Sequence, residues 1–261
     1  PIAATSFGGG TYSVSYDQTT QKIESTATVD QVSKILMAFV KKEMPQGVKG
    51  AVTSVGPLTF NGNIEVDGRD HDASGNVTGS GTFGASSAST VTQSGNSEIG
   101  GNGFEPDKPA NPASIEQNAS NTFTTPEAVL GVSAGSLDQY KTSTPPATPM
   151  SGIIYFTGNE WVAPDFGGAT TPSTGILIVH NSTGTALLKN LHGYFNGLII
   201  ADDVVHINGD AVITGGMVLQ KSSGNAVGNG AAHINYSSTV LSNLPASKFA
   251  VASWQDKQNQ A

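Results

Sequence analysis

From residue 152 onward the chain repeats one short pattern of hydrophobic and polar positions. A glycine is followed by three or four large residues and then by a polar corner, in GIIYFTGN from Gly152, GILIVHNS from Gly175, GLIIADDV from Gly197 and GMVLQKSS from Gly216. The leading glycines are 23, 22 and 19 positions apart, about one coil of a β-solenoid. Such a unit cannot bury its apolar face alone, so stacked coils are expected to share one core. The alternative is an antiparallel sandwich with evenly spaced strands.

The first forty residues alternate between apolar and polar positions in the manner of strands. TYSVSY places Tyr12, Val14 and Tyr16 on one face, DQTTQ supplies a turn, and KIESTATV returns. The next segment, VDQVSKILMAFVKK, fits both a helical stripe and a period of two. The preceding hairpin favours a third strand here.

The segment from about residue 80 to 149 is rich in Ser, Asn, Gly, Pro and Thr and poor in large apolar residues. It predicts an irregular insert with a helix near Thr125–Tyr140, because Pro126 and Glu127 suit a helix start. Gly131 and Gly135 weaken that helix.

These patterns predict a mainly all-β chain. Residues 1–57 form an N-terminal β-hairpin segment, residues 58–255 a right-handed β-solenoid (β-helix) of about four coils with the insert at 80–149, and residues 256–261 a tail. The ends of such a stack need covers. The N-terminal segment and the stretch SKFAVASWQ are candidates, with Phe249, Val251 and Trp254 over the last coil.

Composition narrows the classes of partner. The net charge is −8 and Arg69 is the only arginine, so the basic stripe that nucleic acid requires is missing. The absence of cysteine excludes disulfides, zinc–thiolate sites and thiol catalysis. The longest apolar run, Ile35–Val40, is far too short to span a membrane. Because the chain starts at Pro1 without a leader, we expect a processed or truncated form.

The densest polar stretch is EVDGRDHDASGN, residues 65–76. Asp67, Asp70 and Asp72 are hard oxygen donors close to Gly75, which makes them a candidate calcium site. Their spacing differs from that of an EF-hand. The alternative is an Asp-rich turn whose carboxylates cap backbone N–H groups and pair with Arg69.

A second polar group comprises Asp202, Asp203, His206 and Asp210. Side chains of neighbouring strand residues point to opposite faces, so architecture is favoured over catalysis. His180, His206 and His233 occupy strand positions and could line up along the coils. A β-helix enzyme acting on polysaccharide needs clustered carboxylates with Arg or Lys on one face, and no G-x-S-x-G or H-E-x-x-H motif occurs. We therefore predict a protein that is not an enzyme.

Several quoted stretches resemble known proteins. SFGGGTYSVSY, KIESTATVDQVSKILMAFVKK and NGNIEVDGRDHDASGN resemble the part that follows the N-terminal helix in PilX-like minor pilins of bacterial type IV pili. GILIVHN, FNGLIIADDVVHINGDAVITGGMVLQ and AAHINYSSTVL are similar to the repeats of their solenoid region. Residues 80–149 do not match.

The resemblance implies a cell-surface protein of the pilus, used for adhesion or pilus assembly, whose partners are other pilins, assembly components, or surface carbohydrate or protein. It also implies a membrane-anchoring N-terminal helix, which this sequence lacks, and no cofactor besides the candidate calcium. Five aromatic residues are candidates for partner contact or for core packing: Tyr155, Phe156, Trp161, Tyr194 and Phe195. The alternatives are a secreted β-helix enzyme or binding module acting on polysaccharide, and a polymer-forming scaffold similar to a bactofilin.

Overall fold

The computed structural model describes residues 1–17, 19–205, 207, 210–223, 226–228, 230–246 and 249–258. Strands dominate these ranges, which confirms the predicted mainly β class. In chain order the strands are β1 (Ile2–Phe7), β2 (Gly10–Asp17), β3 (Lys22–Val29), β4 (Val32–Lys42), β5 (Gly50–Ser54), β6 (Leu58–Phe60), β7 (Glu65–Asp67), β8 (Asp70–His71), β9 (Val77–Gly79), β10 (Phe83–Ser87), β11 (Val91–Gln93), β12 (Glu98–Gly101), β13 (Phe104–Asp107), β14 (Ile115–Glu116), β15 (Lys141–Thr142), β16 (Ile153–Phe156), β17 (Glu160–Val162), β18 (Gly167–Gly168), β19 (Thr171–Val179), β20 (Leu187–Lys189), β21 (Tyr194–Ala201), β22 (Asp203–Val205), β23 (Val212–Leu219), β24 (Ala226–Gly228), β25 (His233–Tyr236) and β26 (Phe249–Gln258).

Helices are short in the described part of the chain. They are α1 (Pro126–Leu130), α2 (Ser238–Ser242) and 3-10 turns at Pro112–Ser114 and Asp138–Tyr140. None of the helices in the ranges given above has the length and apolar character to cross a membrane.

The strands form two compact units. One comprises Pro1–Glu43 with Lys248–Ala261, and the other comprises Met44–Ser247. The predicted boundaries at 57 and 255 are therefore displaced. Strand β5 belongs to the second unit because it pairs with β10 and β23, and β26 belongs to the first unit because it pairs with β4.

The first unit is a five-stranded antiparallel sheet in the order β1-β2-β3-β4-β26. The segment that fitted either a helix or a strand forms β4, as the preceding hairpin predicted. Backbone pairing decides between the two patterns here, because β4 joins β3 along its length, from Lys22 opposite Phe39 to Val29 opposite Val32.

The C-terminal tail, which was predicted to cover the last coil, forms strand β26 of the first unit. Strand β26 runs antiparallel to β4, with Trp254 opposite Ala38. Val251 and Trp254 are 62% and 70% exposed, so neither packs in a core. The edge of β4 pairs with the tail through backbone hydrogen bonds, and such bonds require only that the tail be extended. The side chain of Phe249 lies outside the described residues.

The second unit stacks its strands in parallel. Its largest sheet runs β13-β12-β7-β25-β23-β21-β19-β16-β15, and only the β12–β13 pair on this path is antiparallel. Ile153, Ile176 and Leu198 lie one above another, as the repeated pattern predicts. Smaller parallel sheets, β17-β20-β22 and β11-β6-β24, run beside it. The parallel pairing excludes the antiparallel sandwich, while the right hand and the count of about four coils stay predictions.

The predicted irregular insert at 80–149 is wrong for its first part. Strands β10, β11 and β12 pair in parallel with β5, β6 and β7 and add another layer to the stack. Gly84, Ala85, Ser86 and Ser87 are buried positions of β10. The buried positions of this strand hold small and polar side chains, so the sequence pattern did not predict it. Ladder hydrogen bonds form between backbone groups and do not require large apolar residues.

The order of the layers in space differs from their order in the chain. Strand β5 lies between β23 and β10, and β7 lies between β25 and β12. The chain therefore enters the stack in its middle and builds outward to β14. It resumes at the opposite end of the stack with β15 and β16. Its later strands β23 and β25 then pair with β5 and β7, the strands that the chain formed first in this unit.

A ladder of glycines explains the repeated glycine of the sequence pattern. Gly175 lies opposite Gly197, and Gly197 lies opposite Gly215. A Cβ atom on any of these three would lie 2.0 to 2.1 Å from the carbonyl oxygen of the preceding ladder glycine, which for Gly175 is Gly152. The expected fourth member, Gly216, is one residue out of register, because it lies opposite Leu198.

The helix predicted at Thr125–Tyr140 is confirmed at its start only. Thr125 caps α1 by accepting a hydrogen bond from the backbone N–H of Ala128, and Pro126 is the first helical residue. Gly131 adopts a left-handed conformation, with φ of 68°, and ends the helix. The remaining predicted length holds only the 3-10 turn at Asp138–Tyr140.

Candidate functional site

Asp67, the first predicted calcium ligand, is buried at the end of β7 and is 2% exposed. Its carboxylate accepts hydrogen bonds from Arg69 Nη2 at 2.7 Å and Nε at 3.0 Å, and it lies 3.4 Å from His71 Nε2. Burial acts to raise the pKa of Asp67, but the hydrogen bonds from His71 and Arg69 outweigh it and lower that pKa. Asp67 is therefore the centre of a buried charge network.

His71 joins this network to β25, the last strand of the second unit in chain order. Its Nδ1 lies 2.7 Å from the carbonyl oxygen of Arg69 and 3.0 Å from that of Tyr236, in β25. All three neighbours of the ring are acceptors, so both nitrogens are satisfied when each carries a proton. Burial acts to lower the pKa of His71, but Asp67 and the two carbonyls raise it above its ordinary value.

Asp70 and Asp72 have hydrogen-bond partners other than Arg69 and His71. Asp70 accepts hydrogen bonds from the backbone N–H and the hydroxyl of Ser238 at 2.8 and 2.5 Å. Asp72 caps a turn by accepting from the backbone N–H groups of Ser74 and Asn76. The three carboxylates thus follow the Asp-rich-turn alternative. Within the described ranges, no three His, Asp or Glu side chains are grouped so as to hold a metal ion.

Calcium binding by Asp67, Asp70 and Asp72 stays a prediction that a simple measurement tests. Since Asp67 is already saturated by Arg69 and His71, we expect the thermal unfolding midpoint to be the same in calcium and in EDTA. A calcium-dependent rise that disappears in Asp72→Asn would instead restore the calcium site.

The second polar set lies at the corners after the stacked strands. In-register pairing places Thr157, His180 and Asp202 in one column across successive coils. His180 Nδ1 donates to Asp202 Oδ1 at 2.6 Å. Asp202 also accepts from the backbone N–H groups of Asn181 and Ala186. Because a carboxylate only accepts, the proton of neutral His180 resides on Nδ1, and Nε2 is its accepting nitrogen.

The residues predicted beside Asp202 do not converge on one site. Asp203 accepts hydrogen bonds from the backbone N–H and hydroxyl of Ser223. Asp210 is 84% exposed at its side chain and lies 3.5 Å from His192 Nδ1. His206 lies outside the described residues.

The predicted alignment of the histidines along the coils fails for the two that are described. His180 follows the end of β19, whereas His233 starts β25 and lies opposite Val212. His233 faces Glu65 at 3.5 Å, and this hydrogen bond raises the pKa of His233. The two imidazoles thus occupy opposite ends of their strands.

A polar groove of about 400 Å³ opens beside His180. Its lining includes Lys141, Tyr155, Asn159, His180, Asn181 and Ser182, and we call it the His180 groove. The ring centroids of Tyr155 and His180 are 6.2 Å apart, and Lys141 Nζ lies 5.2 Å from the Tyr155 centroid. Lys141 Nζ also pairs with Asp138 Oδ1 at 2.6 Å.

The repeats of the sequence carry a signal for this groove that lies outside any catalytic motif. When GIIYFTGN and GILIVHNS are aligned on their leading glycines, Thr157 falls beside His180, as the pairing of Phe156 with Val179 places them. The same alignment brings the two asparagine-containing corners together. Lys141, which precedes both repeats in the chain, carries no such signal.

The aromatic residues predicted as contact or core residues are mostly core. Four side chains are between 0 and 6% exposed: Tyr155, Phe156, Trp161 and Phe195. Tyr194 is half-buried. Of the four buried residues, Tyr155 is also part of the His180 groove.

Comparisons with known proteins gave one distant likeness. No family model and no curated protein matches the chain. Among solved structures, it is similar to the competence-associated pilin ComZ from Thermus thermophilus, with 12% sequence identity and a TM-score of 0.26 over 98% of this chain and 86% of that chain. The fold described above therefore rests on strand pairing alone.

Proposed function

We propose that this chain is an extracellular structural and interaction protein of a type IV pilus, of the minor-pilin class, which acts by surface contact and not by catalysis. One observation carries the proposal. The five-stranded sheet, built largely from residues that resemble minor pilins, presents a row of apolar side chains on one face.

Strand register defines this face, because directly opposed residues project from the same side of a sheet. Tyr16 lies opposite Ile23, Ile23 opposite Ala38, and Ala38 opposite Trp254. The neighbouring row contains Ile2, Val14 and Leu36, together with the polar residues Ser25 and Asp256. We call these two rows the apolar sheet face.

The exposed fractions on this face are high for such residues. Tyr16 is 38% exposed, Leu36 43%, Ile2 47% and Trp254 70%. Grouped aromatic and aliphatic side chains in water are typical of protein–protein contact surfaces. We infer that another pilin or an assembly component covers this face and that the stacked second unit is displayed.

A double variant tests the assignment in the native host. Leu36→Ser with Trp254→Ser removes two exposed apolar side chains while keeping the strand register, so folding should persist. We expect at least tenfold less of the protein in the sheared pilus fraction, because two lost contact side chains, at about 1 kcal/mol or more each, together weaken binding about thirtyfold.

Val162→Ser is the matched control, since Val162 is 51% exposed but belongs to the second unit. Immunoblots of sheared filaments and of culture supernatant provide the measurement. A wild-type protein that never copurifies with filaments, or a double variant that copurifies fully, would contradict the proposal.

A further inference from the structure

The His180 groove contains polar groups that the fold leaves unused. Tyr155 makes no hydrogen bond through its hydroxyl within the described residues, although its side chain is 3% exposed. Tyr155 lines the groove. Burial, together with the charges of Glu127, Asp202 and Asp138, raises the pKa of Tyr155. The phenol therefore stays protonated, and its O–H can donate a hydrogen bond to a ligand.

His180 adds an acceptor next to this donor. Its Nδ1 is committed to Asp202, whose side chain is 2% exposed and held by two backbone N–H groups. The imidazole orientation is thereby set, and its side chain remains 19% exposed at the groove. In the neutral ring Nε2 can accept a hydrogen bond from a ligand hydroxyl.

The asparagine corners supply further donors. Asn181 Oδ1 is saturated by Thr183 and Thr185, and Asn181 Nδ2 donates to Asn159 Oδ1 at 3.2 Å. This pattern leaves the amide protons of exposed Asn159 Nδ2 available. The hydroxyl of Ser182, also exposed, makes no internal hydrogen bond within the described residues.

The charge in the groove is compensated. Lys141 pairs with Asp138, and Asp202 is covered by its donors. A charged ligand would have to compete with these pairs, whereas a ligand with uncharged groups that both donate and accept would not. Ring hydroxyls of a sugar have this property. The groove volume of about 400 Å³ falls in the range of small-molecule sites.

We propose that the His180 groove binds an uncharged saccharide, whose adjacent hydroxyl groups bond to Tyr155 Oη, His180 Nε2 and Asn159 Nδ2. The site belongs wholly to the second unit and does not depend on pilus association. A surface protein that carries it would hold glycan through one end of its stacked coils.

The test uses the purified full chain with glucose, galactose, mannose, N-acetylglucosamine and their disaccharides at millimolar concentration. Calorimetric titration measures affinity, and NMR follows the ring signals of Tyr155 and His180. We expect at least one sugar to bind and to shift both sets of signals. Tyr155→Phe removes only the unused hydroxyl, so it should weaken that binding about tenfold without lowering the unfolding midpoint, as expected for the loss of one hydrogen bond to a ligand.

Asn159→Ala provides a second, exposed variant with the same expected direction. Tyr194→Phe is the control, because this half-buried tyrosine lies outside the groove lining. Failure of every sugar to bind overturns the proposal, and so does binding that is unchanged in both Tyr155→Phe and Asn159→Ala. Binding of sulfate in place of sugars would likewise overturn it, since that outcome identifies an anion site at Lys141. None of these results bears on copurification with pili.

Discussion

Replacing Gly215 by alanine is expected to unfold the second unit, whereas the same change at the adjacent Gly216 leaves it folded. A Cβ atom at Gly215 would lie 2.0 Å from the carbonyl oxygen of Gly197, and the φ of Gly215, 137°, is disfavoured for alanine. At Gly216 the closest atoms, in Val48, Leu241 and Leu198, are 3.4 to 3.8 Å away, which is ordinary contact.

The cost at Gly215 should exceed about 4 kcal/mol, because the obstacle is backbone of the neighbouring coil and cannot move alone. At Gly216 we expect about 1 kcal/mol or less. Gly197→Ala isolates the steric part of the effect, since its Cβ would also lie 2.0 Å from a ladder carbonyl, that of Gly175.

Tryptophan fluorescence can follow the second unit separately. The chain has two tryptophans, and Trp254→Phe leaves Trp161, 6% exposed in the second unit, as the reporter. Urea unfolding of the three alanine variants in this background measures the differences. Equal stability of Gly215→Ala and Gly216→Ala would show that the glycine ladder does not have the register described.

The second large effect is expected at Asp67. Asp67→Asn removes the charge that Arg69 and His71 share, in a site where the carboxylate is 2% exposed. Removing one partner from a buried charge network costs about 3 kcal/mol, because the remaining charges lose their compensation. The loss should weaken the junction between residues 65–72 and β25, which His71 bridges.

The same network predicts a defined dependence of stability on pH. The pKa of His71 is raised in the folded chain, so its contribution is complete below about pH 6.5 and is lost as pH rises through the folded value. The pKa of Asp67 is lowered, so its contribution is complete above about pH 4 and is lost as pH falls through the folded value. The network therefore stabilises the fold most between these limits.

NMR titration of the imidazoles and unfolding at several pH values test this behaviour together. In Asp67→Asn the pKa of His71 should fall, and the decline of unfolding free energy on the alkaline side should become smaller. His192→Asn is the control, since this imidazole is 43% exposed and outside the network. A wild-type His71 that titrates at or below its ordinary value would refute the argument.

The sequence alone determined where most strands of the repeats lie. Apolar and polar positions alternate locally, and each strand of the repeats carries enough large side chains to show its buried face. For that reason β16, β19, β21 and β23 were located and their parallel stacking was predicted. The same reasoning found β2, β3 and β4 of the antiparallel sheet.

Only the tertiary structure decided which strands became neighbours. Backbone hydrogen bonds depend little on side-chain identity, so the sequence of β5 does not indicate that this strand lies between β23 and β10. The small residues of β10 likewise do not indicate a buried strand. Register also had to come from the structure, because Gly215 and Gly216 differ only in which one meets Gly197. The His180 groove arises from the same stacking, since it brings together Lys141, Tyr155 and His180 from separate segments of the chain.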